Sequence, residues 1–340
     1  MKTLSQSRGR VTLRAVASRA RVSVVTASRA LNNHPLVAAA THKRVLRASA
    51  ALGYVPNLLA RGLVTDRTRT VGVILLELAN PFFAELVSGI QAMAAKREYL
   101  VVIGESGRSA EEERRCLAQF QQFRIGGLLI TPVESRLDHL LAARGAGTPT
   151  VVMGRRWPAG DFVSADDVEG GRLAARHILT REHRRVAIVR RGDPHHRPGH
   201  DIFTGFRAVL SKAGVALRDD WDIRVADGQV TDGIRAADAL LTQRQRPTAV
   251  FATSDRLAVG LVHGFHARGV RVPEDVGVVG YDNIPWGEYC RVPLTTVAVP
   301  KRGVGEVAAG LLFDRHDTDD VERPRQILLP PDLVIRASLP

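Results

Sequence analysis

Val11-Thr12-Leu13-Arg14-Ala15-Val16-Ala17-Ser18-Arg19-Ala20-Arg21-Val22-Ser23-Val24-Val25-Thr26-Ala27-Ser28-Arg29-Ala30-Leu31-Asn32 is the stretch that decides how this chain is read. Leu13, Val16, Ala17 and Ala20 fall at i, i+3, i+4 and i+7, one face of a helix. Thr12 stands where an N-cap belongs. After a break at Arg21-Val22-Ser23, Ser23 is placed to cap a second short helix, Val24 to Leu31, whose outward residues are small or polar. That is helix-turn-helix spacing. A third helix is expected from about His42 to Leu52, with Val45, Ala48 and Leu52 on one face and Gly53 as its C-terminal stop. Three such helices close one small core.

Working outward, charge separates this stretch from the rest. Residues 1–70 hold 13 of the 48 Lys and Arg but one of the 35 acids, so +12 of the +13 formal net charge lies there. No apolar helix accompanies that charge, which points to phosphate neutralisation rather than a membrane surface. A disordered basic tail would account for Lys2 to Arg10 but not for the patterned remainder. Cys116 and Cys290 stand far apart with no partners at metal spacing, so neither a disulfide scaffold nor a zinc site is expected, and a reducing cytoplasm is the natural setting. The start lacks an apolar signal-peptide core, and no run of 18 apolar residues occurs.

The order of residues resembles the lactose-repressor/galactose-repressor (LacI/GalR) family of transcription regulators. The resemblance rests on Val11-Thr12-Leu13 with Val16-Ala17, and on Val22-Ser23-x-x-Thr26-x-Ser28-Arg29-x-Leu31-Asn32. It continues in Val45 through Leu52-Gly53-Tyr54-x-Pro56-Asn57, in Ala60-Arg61-x-Leu63, and over about the whole chain. It implies a repressor that binds a palindromic double-stranded operator as a homodimer or tetramer under control of a small, sugar-like effector. The DNA-contacting set it implies is Thr12, Ser23, Val24, Val25, Thr26, Ser28, Arg29, Asn32, Tyr54, Asn57, Ala60 and Leu63. In the family the positions of Val24 and Val25 choose bases, and those of Thr26 and Ser28 meet phosphates. Valine touches a thymine methyl but makes no bidentate hydrogen bond, which leaves direct readout to Arg29, Asn32 or DNA shape. The alternative is that Val24 or Val25 belongs to the core.

Two residues depart from the family pattern. Arg21 replaces a usual glycine in the turn, at roughly 1 kcal/mol if its φ is positive. Ala38 replaces the serine that usually caps the third helix, another loss of about 1 kcal/mol. Asn57 caps a short hinge helix to Leu63, too short to be stable alone. In the family such helices form when two copies meet in the minor groove, and the leucine at the position of Leu63 wedges open a base step.

From Thr70 onward, short apolar runs alternate with amphipathic stretches, the mark of doubly wound parallel sheets. Two such series occur, and the resemblance implies a type I periplasmic-binding-protein-like α/β body of two lobes behind an all-α headpiece. The expected divisions are a basic tail at 1–10, the headpiece at 11–55 and a hinge and linker at 56–69. An N-terminal lobe is expected from 70–161 with 292–320, and a C-terminal lobe from 162–291 with 321–340.

No nucleophile elbow, P-loop or dinucleotide fingerprint is present, so no catalytic residue, metal or cofactor is assigned. The histidine-rich run 193–201 contains prolines and a glycine and reads as a loop. Ligands of such folds collect at the carboxyl ends of the strands. The candidates there are Asn80, Phe82, Phe83, Arg155, Asp166, Arg197, Asp201, Ser254 and Asp282, with Asp167 and Asp255 read as helix caps. Ile202 stands where relatives carry an effector-gripping arginine, and Gly228 where an aromatic wall is expected. These departures leave open an altered effector or none, and a transport-type sugar-binding protein is the competing reading.

Overall fold

A computed structural model describes residues 11–32, 34–55, 68–134, 136–192, 197–318 and 323–340. Asn57, Ala60 and Leu63 lie outside the described residues. Contacts divide the chain between Thr68 and Arg69 into two units.

The first unit contains α1 (Leu13–Arg19), α2 (Val24–Leu31) and α3 (Ala39–Leu52). Thr12 and Ser23 cap α1 and α2, accepting from the Ala15 amide at 3.3 Å and the Thr26 amide at 3.0 Å. The core is Val16, Ala17, Ala20, Ala27, Ala30, Val45 and Ala48, so five of its seven buried side chains are single methyl groups. Each methyl-sized group contributes only about 0.8 kcal/mol, and the headpiece has little stability in reserve. Helix α3 begins three residues before the expected His42, because Ala39 and Ala40 carry no periodic signal yet have the highest helix propensity. Its N-cap position, Ala38, makes no side-chain bond, and Gly53 closes it at φ 65°. Arg21 adopts φ 52° in the turn.

Arg21→Gly should relieve that strain, and Ala38→Ser should supply the missing cap, each worth about 1 kcal/mol. Calorimetry on the full chain is expected to show the headpiece transition rising by several degrees with the body transition unmoved. An unchanged headpiece transition in both variants contradicts this account.

The second unit holds two six-stranded sheets. The first sheet contains β1 (Thr70–Leu75), β2 (Leu100–Glu105), β3 (Gly127–Ile130), β4 (Thr150–Met153), β5 (Asp161–Ala165) and β11 (Gln326–Leu329). They pair in the order β11-β5-β4-β3-β1-β2, all parallel. The second contains β6 (Val186–Arg191), β7 (Asp222–Val225), β8 (Ala249–Ala252), β9 (Gly277–Asp282), β10 (Thr295–Ala298) and β12 (Asp332–Val334). Its order is β12-β10-β9-β8-β6-β7, with β12 antiparallel to β10.

Helices cover both faces of each sheet, which is why β3, β4, β5 and β8 are buried along their whole length. On the first sheet, α4 (Pro81–Lys96) and α12 (Lys301–Thr318) oppose α5 (Ala110–Gln122) and α6 (Asp138–Gly145). On the second, α7 (Asp167–Thr180) and α8 (Arg197–Lys212) oppose α9 (Val230–Leu241) and α10 (Asp255–His266). A short α11 (Pro285–Tyr289) follows β9. Among the described residues, no helix is long and apolar enough to cross a membrane.

Four expectations are corrected. Residues 162–165 belong to the first lobe rather than opening the second, and β11 joins them there although 321–340 is expected in the second. Conversely β10 lies in the second sheet, not the first. A buried apolar run pairs equally well in either sheet, so sequence alone does not say where a crossing strand lands. Finally, Arg197 to Asp201 open α8 instead of lying in a loop. Pro198 is the second residue of that helix, where its missing N–H has no intrahelical partner to lose.

Candidate nucleic-acid face and interlobe cleft

On α2, Val24 and Val25 are 41% and 60% exposed, so neither serves the core. Ala27 and Ala30 are the inward residues, leaving Val24, Val25, Ser28 and Arg29 on the outer side. The Thr26 hydroxyl pairs with that of Ser23 at 2.8 Å, and Asn32 is the exposed C-cap. Tyr54 instead leans on the headpiece core just past Gly53. Arg14, Arg19, Arg21, Arg29, Lys43 and Arg47 are exposed, and Arg44 donates to the Ala20 carbonyl at the end of α1. A helix start with small apolar tips, set in a cationic surface, has the form needed to enter a major groove.

In the second unit the strands direct their carboxyl ends at one cavity of about 180 Å³, room for a small metabolite but not for a peptide. Phe82, Phe83, Ile202 and Leu257 supply apolar wall, and Asn80, Arg155, Ser254 and Asp282 supply polar groups. Asp166 and Asp201 are not among the lining residues, and the Arg197 side chain lies outside the description. Asp167 lines the cavity instead.

The two helix caps are exchanged relative to expectation. Asp166, not Asp167, caps α7 by accepting from the Glu169 amide at 3.1 Å. Ser254, not Asp255, caps α10 through the Leu257 amide at 3.4 Å. The residue before the first helical turn swings its side chain over the open amides, and the next one points away. Asp167 thereby accepts the Tyr281 hydroxyl at 2.7 Å. Asp255 accepts the Ile284 amide at 2.7 Å and the Thr296 hydroxyl at 2.6 Å.

Asp282 and Asn283, at the end of β9, have φ of 108° and 53°, a conformation that costs non-glycine residues of order 1–3 kcal/mol each. Lys301 from the start of α12 offsets that cost: its buried ammonium donates to the carbonyls of Asp282 at 2.6 Å and Asn283 at 2.9 Å. Arg336 holds the Asn283 amide oxygen at 3.0 Å. The carboxyl of Asp282 is thus presented to the cavity by a fixed loop.

Residues 12–57 match the model of bacterial regulatory proteins of the lacI family, and residues 175–339 match a periplasmic binding protein-like domain. The HTH-type transcriptional repressor PurR of Photobacterium profundum is 33% identical over 331 residues, covering 96% of this chain and 98% of the relative. That of Erwinia tasmaniensis is 34% identical over 333 residues, covering 96% of each. The chain belongs to the lacI family. Among solved structures, a lac repressor dimer bound to operator and the anti-inducer ONPF aligns with TM-score 0.86 at 25% identity, covering 97% of this chain and 99% of that one. A CelR–cellobiose complex aligns with TM-score 0.73 at 32% identity, covering 97% and 100%. As a lacI-family member the chain is a DNA-binding regulator of transcription.

Three cleft arginines of this lacI-family body escaped the sequence reading: Arg108, Arg191 and Arg256. Arg191 ends β6 and packs against Gly228, whose φ is 74°. Arg256 was legible in principle, since it sits in the first turn of the helix that follows β8. Among the described residues, no group of three or more His, Cys, Asp or Glu is placed to hold a metal.

Burial, then the neighbouring charges of Asp201 and Asp166, pushes the Asp167 carboxyl up to about 7, against the Tyr281 hydrogen bond. Burial likewise raises Asp255 to about 7, against Thr296 and Ile284. Asp282 is raised well above the carboxylate range by burial and by Asp255. The folded state therefore holds protons that the unfolded chain releases near pH 4, and these groups favour folding below that pH. Their contribution is lost as pH rises from about 4 through 7. Asp167→Asn keeps an acceptor for Tyr281 without the charge. Its melting temperature should fall less than the parent's between pH 5 and 8 by calorimetry. Parallel profiles would contradict a raised carboxyl.

Proposed function

We propose that the chain represses transcription as a homodimer on a palindromic operator, under control of a small effector held in the interlobe cleft. The observation that carries this reading is the exposed, valine-tipped start of α2 on a headpiece that holds nearly all the net charge. A single helix of two turns, with valines at its reading positions, offers few base contacts. Two headpieces on a symmetric body double them. The body supplies apolar surface for that pairing: Leu100, Val102 and Ile103 are exposed on β2, an edge strand, as are Trp286 and Tyr289 at α11. The operator-bound dimer among the relatives supports the same assembly, and a DNA-bound repressor works in the cytoplasm.

The effector we infer is a sugar or a related ring-shaped metabolite. Phe82 and Phe83 offer flat apolar faces, and Asp282 and Asn80 offer groups that bond hydroxyls. The cellobiose-bound relative favours a sugar, whereas Ile202 removes the arginine that grips it in the family. The chemistry is binding and not catalysis.

Electrophoretic mobility shift with genomic fragments tests the first claim: sequence-selective retention at moderate salt is expected, and its absence ends the reading. Leu63→Ala should weaken operator binding far more than non-specific binding, Arg29→Ala should change base preference, and Lys43→Ala should flatten the salt dependence. A thermal-shift panel of sugars and purines tests the cleft. A true ligand at 100 times its dissociation constant stabilises by about 2.7 kcal/mol. Asp282→Ala and Phe83→Ala should abolish that shift and leave operator binding intact; if both variants respond as the parent does, the effector is held elsewhere.

A further inference from the structure

The chain crosses between lobes three times: between β5 and α7, between β10 and α12, and between β11 and β12. All these crossings leave one edge of each sheet, since β11 and β5 are neighbours at the end of the first and β12 and β10 at the end of the second. The lobes are hinged there. The opposite edges are β2 and β7, and the mouth of the cleft lies between them.

A four-residue cluster spans that mouth. Glu77 follows β1 and Arg108 follows β2 in the first lobe, while Gln229 caps α9 and Arg256 opens α10 in the second. Both ends of the Arg256 fork donate to Glu77, Nη1 to Oε1 at 2.9 Å and Nη2 to Oε2 at 3.1 Å. The Gln229 amide donates to Oε1 at 3.4 Å. Arg108 adds bonds to Oε2 at 3.4 and 3.3 Å, reaching it from a backbone with φ 63°. The Arg256 and Glu77 side chains are only 8% and 18% exposed. Solvent screening is weak at such a pair, and removing one partner strands the other largely out of water.

We propose that the Glu77–Arg256 pair, supported by Gln229 and Arg108, is a latch that holds the two lobes together at the mouth of the cleft. It is made wholly of the chain's own atoms, so closure of this body does not depend on contacts to a ligand. The latch rests on the fold and stands whichever effector the cleft takes. Its position gives it leverage: Glu77 and Arg256 follow β1 and β8, in the half of each sheet away from the crossings, and Arg108 and Gln229 follow the edge strands β2 and β7, so a small rotation about the crossings separates them. A paired fork is short-ranged, so the latch is either made or broken, and the body has two lobe angles rather than a continuum. Burial opposes the ionised form of Glu77, but the bonds and charge of Arg256, with Gln229 and Arg108, hold its carboxyl below the usual range. These contacts favour the charged form of the latch.

The test is the distance between spin labels at Glu111→Cys, on the first lobe, and Ala226→Cys, on the second. Both sites are exposed and flank the mouth, and the full chain carries Cys116→Ser and Cys290→Ser. Pulsed double-resonance spectroscopy on the parent, with labelled chains diluted in unlabelled ones so that distances arise within one protomer, should give one main short distance. Glu77→Gln should raise the ratio of long to short distances roughly tenfold, the effect of losing one charge-assisted fork. Glu77→Gln with Arg256→Gln should open the body no further than either alone, because one interaction is being removed twice. Arg256→Lys, which keeps the charge and loses the fork, should fall between, and it carries the test if Glu77→Gln does not fold. Superimposable distributions in parent and variants, or additive opening in the double variant, overturn the latch.

Discussion

The body depends on three short chain crossings confined to one edge of each sheet. They make two lobes that neither separate nor rotate freely, and they set the carboxyl ends of both sheets face to face. Everything assigned to the cleft follows from that constraint. Asp282 ends a strand of the second lobe, and the lysine that fixes its loop begins a helix packed on the first. Glu77, after β1, and Arg256, after β8, meet in the half of each sheet away from the crossings, and the edge strands β2 and β7 add Arg108 and Gln229. Close contact between α7 and α8 keeps the second lobe rigid behind this arrangement. A Cβ on Gly205 would land on the Val168 carbonyl, so the two helices touch backbone to backbone and bring Ile202 to the cleft wall.

The cleft concentrates electrostatic strain that the surrounding fold must carry. Asp255 and Asp167 both oppose the ionisation of buried Asp282, and two consecutive residues adopt left-handed backbone. Lys301 and Arg336 oppose both effects with charge and with bonds to the loop. A site that stores strain in this way is held ready for a ligand that can share those carboxyl groups. The headpiece stores strain only at Arg21 among its described non-glycine residues. Its core is mostly alanine, and its turn and third helix lack the residues that would steady them.

Local rules made much of this legible. Helix faces, both headpiece caps at Thr12 and Ser23, the Gly53 stop and the alternation of strands with helices all follow from near neighbours in sequence. Failures occurred where the deciding neighbour is distant. Strands β5, β10 and β11 read as generic buried runs, and only the assembled sheets determine which lobe each joins. The start of α8 was hidden by Pro198, which breaks a helix interior but suits a first turn. Asp166 and Asp167 are adjacent and chemically identical, and backbone geometry at one residue decides which caps and which reaches the cleft. Arginines 108, 191 and 256 carry no motif, since what gives them meaning is a neighbour distant in sequence: Glu77 for Arg108 and Arg256, and Gly228 for Arg191.

The crossings also bear on how the protein is made. The first lobe is incomplete without α12 and β11, and the second needs the segment beyond β12. Ser338 and Leu339 are buried in the second lobe. Ser338 donates to the Val278 carbonyl at 2.6 Å, and the Leu339 carbonyl accepts from Thr295 at 3.0 Å. At ordinary synthesis rates, about 5–20 residues per second, β5 waits roughly ten to thirty seconds for its neighbour β11 to emerge. During that interval neither sheet is complete at its hinge edge, so the growing chain exposes apolar strands that only its last residues cover. Completion of the body therefore waits for residues 326–339, and a chain cut short before them leaves neither lobe finished.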